Sequence, residues 1–132
     1  MTYGEDSWQE TAVFNQTIQE IQIQVKNTLS MVMGDSSAEM LNEMSAIFLE
    51  DAVPLIDQMK AGHANHDYRA VRQAAHALKG SSATIGLDEF ANICLAVEKS
   101  SKQDAPSLVS DHLATLELAY NQVKKALSGF LQ

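Results

Sequence analysis

Apolar and polar positions along this chain follow a helical period, and no segment alternates as a strand would. The plainest run is Tyr68, Val71, Ala75, Leu78, Ser82 and Ile85, spaced by three, four, three, four and three residues. That spacing makes one inward stripe of an amphipathic helix. One position further round, Arg69, Arg72, His76 and Lys79 form a second stripe that faces outward and presents an imidazole to solvent among cations. Lys79-Gly80 can be read as a stop signal, with Gly80 as the cap and Ser81-Ser82 as loop. Ser82 and Ile85 stay in phase, however, and this favours a helix that continues to Gly86.

The same period predicts the other helices. A first helix over residues 8–33 carries Phe14, Ile18, Ile21, Val25, Leu29 and Val32 and ends at Gly34-Asp35. Ser36, with Glu39 three residues on, reads as a capping box opening a second helix along Leu41, Met44, Phe48, Ala52, Leu55 and Met59. Pro54 removes a backbone donor there and either kinks or splits the helix, the kink being favoured. Gly62-His63-Ala64-Asn65 is expected as a loop, with Asn65, His66 or Asp67 capping the His76 helix. Asp88 is expected to cap a shorter helix carrying Phe90, Ile93, Cys94 and Val97, and 101–104 to turn the chain. Pro106 then opens a last helix along Val109, Leu113, Leu116, Tyr120, Val123, Leu127 and Phe130. The expected fold is all-α, an antiparallel up-down four-helix bundle over residues 37–130 with an additional N-terminal helix, in a single domain.

Composition narrows the function. At 132 residues the chain is one domain, with no room for a nucleotide-binding kinase domain beside the bundle. A net charge of −8 argues against nucleic acid or an anionic membrane surface as partner. Four of the nine basic residues, Lys60, Arg69, Arg72 and Lys79, nevertheless fall within 60–79, which makes the surroundings of His76 less acidic than the average. Such a field suits a negatively charged ligand group, although a charged stripe is also what any solvated helix face shows. The single cysteine permits no internal disulfide, and Cys94 falls on an apolar stripe as a small core residue. Residues 1–7 lack the basic start and apolar run of a signal peptide, and no run of about 18 apolar residues exists to span a bilayer. The cytoplasm is the expected location.

The run Ala75-His76-Ala77-Leu78-Lys79-Gly80-Ser81-Ser82-Ala83-Thr84-Ile85-Gly86 resembles the signature of histidine phosphotransfer (HPt) domains: histidine, any residue, leucine, lysine, glycine, small residues and a second glycine. The resemblance extends to Phe48-Leu49-Glu50-Asp51 with Pro54, to Cys94 with Glu98, and to Tyr120, Val123 and Leu127, covering about residues 37 to 130. It implies that His76 is the nucleophile, attacking through Nε2 an aspartyl phosphate on a receiver domain and passing the group to another receiver aspartate. Lys79 would neutralise charge on the phosphoryl oxygens, Gly80 and Ala83 would leave clearance, and Arg69, Arg72 and Gln73 would contact the partner. No cofactor or metal is implied for this chain, since the receiver supplies Mg²⁺. Partners would be response-regulator receiver domains, with a hybrid histidine kinase as a further candidate and a monomer as the expected state. Glu98 stands where some members carry a glutamine that orients the imidazole or phosphoryl group; a surface salt bridge is the plainer reading.

Two other classes compete with a phosphoryl carrier. One is a helical interaction module that binds or inhibits a receiver or kinase without carrying phosphate. The other is a metal or haem bundle built from His63, His66, His76 and His112, disfavoured because His63 and His66 are expected in a loop. Met31, Met33, Met40 and Met44 cluster near the first interhelical turn and suggest an adaptable docking surface, with core packing as the alternative for Met44.

Overall fold

The computed structural model describes residues 14–103 and 105–132, and all regular structure among them is helical. Five helices follow in order: α1 (Ile18–Met33), α2 (Ala38–Ala64), α3 (Tyr68–Thr84), α4 (Asp88–Lys102) and α5 (Pro106–Ser128). Helices α2 to α5 close a ring in which each packs on its chain neighbours and α5 returns to α2, while α1 lies against α5. This is the expected four-helix bundle with its extra N-terminal helix. None of the described helices is long and apolar enough to cross a membrane.

Local signals set most of the boundaries. Thr17 accepts from the Glu20 amide and Glu20 returns a bond to the Thr17 amide, a capping box that starts α1. The predicted start near Trp8 is therefore too early: Phe14 to Thr17 are not helical, and residues 8–13 lie outside the described residues. Ser37, not Ser36, caps α2, accepting from the Met40 amide; Ser36 instead bonds Ser30. Asp67 caps α3 through the Ala70 amide. Leu87, not Asp88, stands at the start of α4, and Asp88 accepts from the Gln24 side chain. Pro106 opens α5 as expected.

Pro54 does not split α2, and one correction concerns the end of that helix. The helix runs unbroken through Pro54 and on to Ala64, so that Gly62, His63 and Ala64 are helical and not loop. Pro54 and Glu50 are both exposed, so water can satisfy the carbonyl that proline leaves unpaired. Gly62 is buried, and a Cβ there would stand 2.9 Å from both the Asp67 carbonyl oxygen and Val71 Cγ2. Its glycine serves the close approach of α2 to α3.

The core is a single cluster to which every described helix contributes, with Ile21, Phe48, Met59, Leu78, Phe90 and Leu116 among its buried side chains. Burial of each large apolar side chain contributes about 1.5–3 kcal/mol. The α2 stripe lies slightly off the expected line: Ser45 and Ile56 are buried, whereas Met44 and Leu55 are half-buried. Val32 is exposed, so the buried stripe of α1 ends at Leu29.

The turn from α3 to α4 depends on Gly86, whose φ is +87° and whose missing side chain admits Thr28 of α1. A Cβ at Gly86 would overlap the Thr28 side chain and lie 3.1 Å from the Gln24 carbonyl oxygen. Gly86→Ala is expected to destabilise the protein by about 1–3 kcal/mol. Gly80→Ala, in mid-helix with nothing within 4 Å of the added carbon, should stabilise it by up to about 1 kcal/mol. Urea unfolding of both variants measures the contrast.

Candidate functional site

Helix α3 is anchored by its buried row of Val71, Ala74, Ala75, Leu78 and Ser82. His76 follows directly on Ala75 and so emerges at the edge of that row, with its side chain 67% exposed. The helix continues through Gly80 for another turn to Thr84. Ser82 donates to the Leu78 carbonyl at 2.6 Å, and Ser81 and Thr84 likewise bond back to their own helix. These hydroxyls are committed to the backbone.

Helix α4 returns antiparallel after the Gly86 turn and brings Glu98 level with His76. One carboxylate oxygen lies 2.9 Å from His76 Nδ1, and the other accepts from Lys79 Nζ at 2.8 Å. Glu98 thus spans two side chains that are themselves one turn apart on α3. Its side chain is only 19% exposed and that of Lys79 29%, so the ion pair sits in the seam between the helices while the imidazole stands above it. Burial pushes the Glu98 carboxyl up, but hydrogen bonds from Lys79 and His76, with the charges of both, outweigh this and hold it below its ordinary 4.5.

A carboxylate can only accept hydrogen bonds, so the Nδ1 that meets it carries a proton. In the neutral ring the free lone pair is then on Nε2, the nitrogen turned away from Glu98. The ring is thus exposed and held in one tautomer, with a free lone pair on its second nitrogen. Beneath it lies Cys94, one turn before Glu98 on α4 and fully buried, with burial pushing its thiol up to about 12.

The other residues singled out from sequence fall around this centre at different ranges. Gly80 is exposed, with open space above it, and Ala77 and Ala83 are exposed as well. Gln73 is exposed and Arg72 half-buried, each within one turn of His76. Arg69 is exposed two turns away, about 10.5 Å along the axis. Neither arginine is paired with a carboxylate among the described residues. The structure therefore brings His76, Lys79, Gly80 and Glu98 together, flanks them with Arg72, Gln73 and Ala83, and leaves Arg69 at the margin.

The double contact of Glu98 is what sequence reading missed. A signal was present, because His76 and Glu98 each stand eleven residues from Leu87, the turn about which the two helices fold. The four histidines, by contrast, do not share a site. His112 is buried in α5 beside Ser100, His76 is on the surface of α3, and His63 and His66 lie at the α2–α3 junction. No group of three or more His, Cys, Asp or Glu among the described residues is placed to hold a metal. The methionines are likewise divided: Met31 and Met33 are exposed on α1, whereas Met40 and Met44 pack on the core from α2. Met44, with Ile47 and Phe48, lines a groove against Ser81 and Thr84 of α3.

The family model described as Hpt domain matches residues 43–126, more than half of the chain. Among curated proteins, the sensor protein TorS of Escherichia coli (strain K12) is 27% identical over 86 residues. That match covers 60% of this chain and 9% of TorS. No solved structure gives a significant match.

Two outcomes follow from the site. The Glu98 carboxyl is depressed in the folded state, so its contribution to stability is present above about pH 4.5 and is lost as pH falls through the lowered value. The stability difference between the parent and Glu98→Gln should therefore narrow between pH 6 and pH 3 in denaturation experiments. At pH 8, alkylation of Cys94 should be far slower in the folded protein than in denaturant, because the thiol is fully buried and burial disfavours the reactive thiolate.

Proposed function

The chain belongs to the Hpt domain family, and on that footing we propose that it receives a phosphoryl group on His76 from a receiver-domain aspartyl phosphate and passes it to another receiver aspartate. Hpt domains are carriers in two-component relays and not kinases. The observation that carries the reading is the shared carboxylate: Glu98 holds the Nδ1 proton of His76 and the Lys79 ammonium at once, while the His76 side chain is exposed.

In the proposed step the Nε2 lone pair attacks phosphorus in line with the bond to the donor aspartate. A P–N bond forms, the P–O bond to the aspartyl carboxylate breaks, and its electron pair stays on the departing aspartate. The ring becomes cationic, and Glu98, still bonded to Nδ1–H, opposes that charge. Lys79, one turn along α3, can turn from Glu98 toward the phosphoryl oxygens, where transfer depends on in-line positioning and charge neutralisation. Mg²⁺ would come with the receiver. Exposed Ala77, Gly80 and Ala83 leave the approach to the ring low, and Arg72 and Gln73 can meet the rim of an acidic receiver pocket. With response-regulator receivers as partners, and a hybrid histidine kinase as a further candidate, the reaction would take place in the cytoplasm.

Incubation with phosphorylated receivers should yield acid-labile, base-stable phosphate on the parent and none on His76→Gln. Lys79→Ala should slow transfer about a hundredfold, the lower end of what removing one donor to a developing anion costs. Glu98→Ala should slow it too and shift the His76 tautomer seen by nitrogen NMR. Receiver binding without any phosphate transfer would return the chain to the class of unphosphorylated interaction modules.

A further inference from the structure

The α2–α3 junction gathers three side chains that the phosphoryl site does not use. His63 lies in the last turn of α2, Tyr68 is the first residue of α3, and His66 stands between them. His66 has φ +55°, the left-handed conformation that favours glycine or asparagine and costs other residues roughly 1 kcal/mol or more. This conformation allows His66 to share Tyr68 with His63. The Tyr68 hydroxyl is 3.4 Å from His63 Nδ1 and 3.5 Å from His66 Nδ1, and both imidazoles lie tilted against its ring.

These separations are long for hydrogen bonds, which centre near about 2.8–3.0 Å. They match a different geometry. Two ligands each about 2.0–2.1 Å from a tetrahedral ion stand about 3.3–3.4 Å apart. The tyrosine oxygen therefore already stands from each of the two nitrogens at about the edge length of a coordination shell. His63 stands in the last turn of α2, whose final carbonyls carry partial negative charge.

We propose that His63, His66 and Tyr68 bind one divalent transition-metal ion that favours imidazole, Zn²⁺ or Cu²⁺. The site lies about 12 Å along α3 from His76 and is independent of phosphoryl transfer. The ion joins the end of α2 to the start of α3 through Nδ1 of each histidine and the tyrosine oxygen, with a remaining position open to water. Tyrosine is the weakest of the three as a neutral ligand and binds as it loses its proton to solvent.

Calorimetric titration of the full chain with Zn²⁺ should show one ion bound. Substoichiometric Cu²⁺ should broaden amide signals centred on residues 63–68. His63→Gln and His66→Asn should each weaken Zn²⁺ about tenfold or more, and Tyr68→Phe severalfold; asparagine at 66 suits the backbone, so its loss of affinity is not a loss of fold. His76→Gln should bind as the parent does. Unchanged affinity in His66→Asn, or broadening centred on His76 instead of the junction, overturns the proposal, and the broadening map needs no variant to decide it.

Discussion

The site rests on one constraint, the register of α3 against α4, which is set where the chain reverses at Gly86. Residues 76 and 98 are far apart in sequence and meet only if both helices run without interruption from that turn. Continuity through Gly80 matters for the same reason. A break there would uncouple His76 and Leu78 from Ser82, which continues the buried row toward the turn. Backbone geometry at one glycine thereby fixes the distance between an imidazole and a carboxylate that each stand about three turns away.

Given that register, the electrostatics are economical. A single carboxylate in the helix seam orients a ring, selects its tautomer and holds an ammonium group in reserve. The depressed Glu98 carboxyl keeps this arrangement ionised at any pH at which an imidazole is neutral. A glutamine at this place could also hold the ring but would bring no charge. The carboxylate adds charge complementarity to a ring that would become cationic if phosphorylated as proposed.

Much of the fold was legible because amphipathic stripes at three- and four-residue spacing are strong over helices this long. The number and order of helices, the outward turn of His76, the stop at Gly86 and the opening at Pro106 all follow from local pattern and local stereochemistry. The misreadings share a cause. Gly62 looks like a break in sequence but is a contact in space, Ser36 and Ser37 are chemically equivalent as caps, and Val32 stays in phase after its helix has outrun the core. In each case packing chose between options that the sequence left equal. Glu98 belongs to the same class, since its partners lie on another helix.

Helix α1 lies outside the family-matched segment, yet Thr28 and Gln24 sit directly against Gly86. The reversal between α3 and α4 is thus splinted from the outside by a part of the chain that contributes nothing to the chemistry. Divergence in α1 can alter the carrier without touching its reactive surface, by loosening or tightening the hinge that aligns it. Related chains with the same motif but a different brace over this bend would differ in how firmly they hold the ring ready.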